Sequence, residues 1–117
     1  MIDKITEGLA NFSGTEHHYK HFTGMLYTDG IKFLSETAQA YWLLDVVGSY
    51  QGDWKVKAPF QIWTLKVNLE ENTAVITMKE DTNEPILITQ ELTYTDFPLE
   101  DFECYCVDGV MLLKNEY

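Results

Sequence analysis

Three histidines form the densest group of residues that could carry chemistry in this sequence: His17, His18 and His21 lie within five positions. On a helix, His17 and His21 would be four residues apart on one face, and two imidazoles at that spacing can hold Zn²⁺. Two ligands do not complete a zinc site, so we predict no metal and no cofactor. A small metal-binding protein or hydrolytic enzyme centred on residues 16–21 stays open as an alternative.

The segment 96–103 interleaves acids with aromatic and aliphatic side chains. Its acids are Asp96, Glu100, Asp101 and Glu103, and Phe97 lies among them. Rings can anchor a protein partner while carboxylates steer it; the other reading is that the rings turn inward and the acids are solvated. We predict no catalytic residue, and a protein-binding site made of this segment together with Trp54, which lies in a glycine-containing loop.

The charge of the chain narrows the classes of partner. The net charge is −11, and all eight basic residues are lysine. Residues 1–57 have five lysines and seven acids (net −2), whereas residues 58–117 have three lysines and twelve acids (net −9). Direct nucleic-acid binding and binding to anionic membranes both need clustered Lys and Arg, so both are disfavoured. A basic protein partner is favoured, with general solubility as the other explanation of the charge.

The cysteines and the apolar stretches indicate the compartment. Cys104 and Cys106 are one residue apart, where a bridge would be strained, so a reducing compartment is the simple interpretation. The longest apolar stretch, residues 40–47, contains Asp45 and is far shorter than the ~20 residues of a membrane span. The first residues lack the pattern of a signal peptide. We predict a cytoplasmic protein with a single domain covering residues 1–117.

Apolar residues recur at helical spacing in two segments. Residues 2–12 predict a short amphipathic helix. Residues 31–50 predict a central helix, apolar over most of its circumference, that breaks near Thr37 and has Asp29 as a cap. A short strand around Met25–Tyr27 precedes it.

From residue 58 the apolar period changes to two, which predicts strands. Their ranges are 61–69, 73–80, 85–95, 102–107 and 110–113. The connections are short, and Asp108-Gly109 is the sharpest hairpin signal among them, so the pairing is predicted to be antiparallel. The predicted fold class is α+β, with two or three N-terminal helices packed on one face of a four- or five-stranded antiparallel β-meander.

Four strings of sequence carry a resemblance to a known group: Tyr27-Thr-Asp-Gly-Ile-Lys-Phe-Leu34, Ala40-Tyr-Trp-Leu-Leu-Asp45, Tyr94-Thr-Asp-Phe-Pro-Leu99 and Asp108-Gly-Val-Met-Leu-Leu113. Together they resemble a family of small uncharacterised proteins from bacteria and their phages, a domain of unknown function. The resemblance covers most of the chain and implies no activity, cofactor or catalytic residue. It does point to a role on a mobile element.

The favoured functional hypothesis is a non-enzymatic, acidic protein-binding domain. The resemblance extends it to a phage or mobile-element inhibitor of a basic nucleic-acid-binding host protein. A homo-oligomeric structural module that uses a sheet edge or the apolar face of the sheet is the other alternative.

Overall fold

Helices and strands follow one another in the order that the sequence predicts, with one short strand added at residues 18–20, and the short strand predicted around Met25–Tyr27 is confirmed. The computed structural model describes residues 2–51 and 58–117. The helices are α1 (Ile2–Ala10), α2 (Asp29–Thr37) and α3 (Tyr41–Gln51). The strands are β1 (His18–Lys20), β2 (Leu26–Thr28), β3 (Phe60–Asn68), β4 (Thr73–Lys79), β5 (Ile86–Leu92), β6 (Asp101–Val107) and β7 (Val110–Leu113), and a 3₁₀ turn covers Lys114–Glu116.

The predicted break in the central helix separates α2 from α3. Gln39 has a φ of 52°, a left-handed conformation that no α-helix can contain, so α2 ends and the chain restarts as α3. The residue that caps α2 is Thr28 and not Asp29, because the Thr28 side chain accepts the N–H of Ile31. Asp29 instead occupies the first turn, where the helix dipole favours a carboxylate.

The sheet is larger than the predicted meander and is connected differently. In the described part of the chain it has seven strands in the order β1-β2-β7-β6-β3-β4-β5. All neighbours are antiparallel except β2 and β7, which pair in parallel through Leu26 opposite Val110. The chain leaves β5 at one edge and returns to β6 beside β3, so strands β3 to β6 form a Greek key. The α+β class is confirmed.

The two faces of the sheet differ in polarity, as alternation predicts. One face carries the core, and its buried side chains include Trp63, Leu65, Ile76 and Met78. Helices α2 and α3 cover that face and α1 packs against α2. The opposite face carries polar residues of β3, β4 and β6. The prediction that helices cover one face is therefore confirmed.

A hydrogen-bonded network fixes the C-terminal end of α3 over the sheet. Gln51 and Gln61 exchange two side-chain hydrogen bonds of 2.9 and 3.0 Å. The indole N–H of Trp63 donates to the same Gln61 oxygen at 2.8 Å. Farther along the helix edge, the Tyr50 hydroxyl donates to Gln90 on β5 at 3.0 Å. The Gln51–Gln61 pair thus holds the end of α3 over β3, and the Tyr50 contact ties the helix to β5, the strand that ends the sheet.

The two cysteines are predicted to be inert while the protein is folded. Both are buried thiols on the core face of β6, as the sequence pattern indicates. Burial raises the pKa of Cys106 to about 12 and raises that of Cys104 as well, so almost no thiolate is present near neutral pH. A disulfide reagent at about pH 8 should therefore modify neither cysteine in native protein and both in denaturant. Rapid modification of native protein would contradict this placement.

Candidate functional site

An apolar cleft lies between α3 and the end of β5. Its volume is about 340 Å³, within the range of ligand-binding clefts. Six residues line it: Trp42, Val46, Leu92, Tyr94, Thr95 and Asp96. We call it the α3–β5 cleft. A larger hollow of about 480 Å³ beside the β3–β4 turn is bordered by exposed side chains apart from Val67, and it offers no buried polar group to fix a ligand.

Phe97 packs beneath Trp42 and supports the floor of the α3–β5 cleft. The Phe97 ring meets Trp42 edge-on, with 6.2 Å between ring centroids and an interplanar angle of 83°. It also packs against Phe102 at 5.9 Å and is only 1% exposed. Edge-to-face pairs of this kind are favourable, and they fix the orientation of a half-buried indole.

The loop that forms the outer wall is tied to neighbouring strands. The N–H of Thr95 donates to the carbonyl of Asn72 at 2.7 Å, and the carbonyl of Glu100 accepts from the N–H of Val67 at 2.8 Å. Within the loop the Phe97 N–H donates to the Thr95 hydroxyl at 3.2 Å. With its backbone held at these points, the loop presents Tyr94, which is 71% exposed, and the exposed Asp96 to solvent.

The chemistry of the cleft suits recognition. Its apolar side chains Trp42, Val46 and Leu92 can cover an aliphatic or aromatic group. The Tyr94 ring and the Asp96 carboxylate stand beside them, and both attract a cation. The six lining residues include no histidine, cysteine or lysine, and their polar side chains are those of Tyr94, Thr95 and Asp96.

The structure divides the predicted acidic segment among three places. Asp96 lines the α3–β5 cleft, whereas Glu100 borders the hollow beside the β3–β4 turn. Asp101 lies on the polar face of the sheet, opposite Lys66 of β3. Phe97 is buried, so its predicted role as a contact residue is corrected to that of a support. Trp54 lies outside the described residues.

Glu103 already has partners within the chain. Its carboxylate accepts hydrogen bonds from Lys114 Nζ at 2.9 Å and from the Thr64 hydroxyl at 2.8 Å. Partial burial of the carboxyl acts to raise its pKa, but these two donors outweigh that effect and hold the pKa of Glu103 below its ordinary value. Glu103 is therefore a weaker candidate for a partner than the exposed Asp96.

The histidines do not share a helix face. His18 begins strand β1, His17 precedes it and is 67% exposed, and His21 is buried after it. The two nitrogens of His21 lie 2.7 Å from an Asp45 oxygen and 2.8 Å from the Thr23 hydroxyl, which ties the turn after β1 to α3. Among the residues that the structure describes, no group of three His, Cys, Asp or Glu side chains is placed to hold a metal ion.

Asp29 organises the histidine-containing segment and gives a pH prediction. The pKa of its carboxyl is lowered, first by the N–H of Glu16 and further by the Tyr19 hydroxyl and the N–H of His17. A lowered folded-state pKa stabilises the protein above the ordinary value of 3.8, and this contribution is lost as pH falls through the folded-state pKa. Asp29→Asn should therefore lower the melting temperature at about pH 7 and lose that effect near pH 2. Glu84→Gln, an exposed control, should change the melting temperature little at either pH. If Asp29→Asn lowers the melting temperature equally at both pH values, the carboxylate of Asp29 is not the source of the stabilisation.

The sequence pattern does not predict three of the residues that line the cleft. Trp42 and Val46 belong to a helix whose apolar positions extend around most of its surface, so the pattern does not distinguish the half-buried ones. Tyr94 continues the alternation of Leu92, a pattern that by itself would place it on the core face. The strand stops at Leu92, and Tyr94 turns outward. The short distance in sequence between Tyr94 and Asp96 is the only signal that could have paired them.

No helix in residues 2–51 or 58–117 is long and apolar enough to cross a membrane. Comparison with curated proteins and with solved structures finds no match. A family model matches residues 3–117, and it confirms the resemblance to an uncharacterised group. The chain belongs to DUF6876, a family of unknown function.

Proposed function

We propose that this protein is a non-enzymatic binding domain whose α3–β5 cleft receives an apolar side chain from a basic segment of a partner protein. The observation that carries the proposal is the juxtaposition of an apolar cleft with Tyr94 and Asp96 at its rim. Interface hot spots are commonly apolar or aromatic anchors that fill such clefts, and charges at the rim steer the encounter.

The charge around the cleft supports a basic partner. Between residues 80 and 100, which contain β5 and both flanking loops, the chain has six acids and no Lys or Arg. The acids are Glu80, Asp81, Glu84, Glu91, Asp96 and Glu100. Asp96 lies at the cleft and Glu80, Asp81 and Glu84 lie at the other end of β5, so the negative charge extends along this edge of the sheet. A field of one sign raises the association rate of a cationic segment and disfavours an anionic one.

Surfaces that bind nucleic acid are one source of such basic segments. Their Lys and Arg side chains contact phosphate oxygens, and Asp96 together with the carboxylates of β5 and its flanking loops presents oxygens of the same charge sign. The protein would then compete with nucleic acid for its partner. An inhibitor of a host nucleic-acid-binding protein, encoded by a phage or another mobile element, would act in this way.

Selection from a displayed library of random peptides tests the proposal. We expect enriched peptides to combine a large apolar residue with Lys or Arg, and to bind less tightly as salt rises from about 0.05 M to about 0.5 M. Tyr94→Ala and Asp96→Asn should each weaken a selected peptide by roughly tenfold, the size of a moderate hot-spot effect.

A matched control separates the cleft from general acidity. Asp81→Asn removes one carboxylate of the same region at the β4–β5 turn, and it should leave the affinity nearly unchanged. Equal losses for Asp81→Asn and Asp96→Asn would show that net charge alone attracts the peptide. Failure to enrich any peptide would contradict the proposal.

A further inference from the structure

The core layer is incomplete along β5. The core-facing side chains of β3 and β4 are buried, whereas Ile88 and Leu92 on the same face of β5 are only partly buried. The side chains of α3 that look toward this edge, Trp42, Val46 and Tyr50, are partly buried in the same way. A groove bounded by α3 and β5 thus leaves five apolar side chains half covered.

The backbone hydrogen bonding along this groove is also incomplete. Strand β5 has seven residues and is the last of the sheet, so among the described residues only β4 pairs with it. Backbone N–H and C=O groups on the outer side of such an edge are free to pair with another extended segment. Pro85 precedes the strand, and Glu91 is the only charged residue within it.

We propose that the partner segment adds to β5 as an eighth strand, an inference that rests on the binding role proposed above and specifies its geometry. Main-chain hydrogen bonds hold the added strand, and alternate side chains enter the groove. Residues at every second position cover Ile88 and Leu92, pass beside Gln90, which lies between them and accepts from Tyr50, and fill the α3–β5 cleft. The intervening residues lie on the side of Glu91, which faces away from the core.

This geometry predicts a pattern in the partner: apolar and basic residues alternate. The inward positions are apolar because they complete the core layer, and the outward ones are cationic because Glu91, the one charged side chain of β5, lies on that face and acidic loops flank both ends of the strand. A second copy of this chain fits less well, since each copy carries a net charge of −11 and would bring a second Glu91 to the same edge.

Two synthetic peptides of identical composition test the inference. The first is a seven-residue peptide of alternating lysine and isoleucine with blocked ends; the second has the same residues in blocks. The alternating peptide should bind with at least about tenfold higher affinity than the block peptide, since only it can place every isoleucine inward. In hydrogen exchange, the amides of 86–92 should gain protection while those of β1, at the other sheet edge, should not.

Methylation of the peptide backbone identifies the paired edge. In an extended strand the N–H groups of the isoleucines face one side and those of the lysines face the other. N-methylation of one set should abolish binding and that of the other should be tolerated. Equal binding of alternating and block peptides, or indifference to both methylations, would overturn strand addition and leave the binding role standing.

Two further outcomes would overturn strand addition, and a third would overturn the binding role. If neither synthetic peptide binds but library-selected peptides still require Tyr94 and Asp96, the cleft binds its partner by another geometry. If the β5 amides become protected with rising protein concentration and no peptide, a second copy occupies the edge. If no library peptide is selected either, the binding role itself fails.

Discussion

Replacing Phe97 by alanine is expected to lower the free energy of unfolding by about 3–5 kcal/mol, the range for truncating a buried phenylalanine. The ring is 1% exposed and contacts both Trp42 and Phe102, so its loss leaves a cavity beneath the α3–β5 cleft. Trp42 would lose the partner that orients it, and peptide binding should weaken as a consequence. Chemical denaturation, monitored by tryptophan fluorescence, measures the change in stability.

Tyr94→Ala is the matched control for this prediction. Tyr94 is three residues earlier in the chain and is 71% exposed, so its removal should change the free energy of unfolding by no more than about 0.5 kcal/mol. It should nevertheless weaken peptide binding. The opposite pair of results, a stable Phe97→Ala variant and an unstable Tyr94→Ala variant, would show that the two aromatic residues have exchanged roles.

Replacing Glu116 by alanine is expected to lower the free energy of unfolding by about 2–4 kcal/mol, since three donors lose a charged acceptor. The Glu116 carboxylate accepts from the Thr28 hydroxyl at 2.6 Å, from the N–H of Leu113 at 2.9 Å and from the N–H of Gly30 at 3.1 Å. It thereby joins the turn after β7 to the first turn of α2. Gly30 permits this approach, because a Cβ there would lie 2.5 Å from a Glu116 oxygen.

The conservative variant checks the mechanism. Glu116→Gln keeps a side-chain oxygen but loses the charge, so its stability should fall between those of the parent protein and Glu116→Ala. Thermal or urea unfolding of the three proteins gives the order directly. An alanine variant as stable as the parent would mean that water replaces the carboxylate without loss, and the contact would then add nothing to the fold.

Much of the fold is predictable because local patterns and tertiary packing agree over long segments. The period-two alternation in β3, β4 and β6 coincides with burial, and Asp108-Gly109 forms the expected turn, with both residues at positive φ. The short strand β1 has three residues, too few for a period to be recognised, whereas β2 lies within one residue of the strand predicted around Met25–Tyr27. The Greek-key return from β5 to β6 depends on long-range pairing that no local pattern records.

The candidate site is less predictable, because it depends on which strand ends the sheet. Phe97 stands between acids in the sequence and resembles a surface anchor, yet the crossover loop turns its ring inward. Tyr94 continues the alternation of a core strand and yet is exposed, since β5 ends two residues before it. Composition gives the net charge, but only the strand order shows that β5 ends the sheet and that Asp96 lies at the mouth of an apolar cleft beside it.

A chemical-shift titration of the isotopically labelled protein with a library-selected basic peptide tests the central claim most directly. The claim predicts that the indole N–H of Trp42 and the signals of Val46, Leu92, Tyr94 and Asp96 shift together and saturate, while those of His17 stay unchanged. Saturating shifts confined to residues 16–21, or to the polar face of the sheet around Lys66, would contradict it.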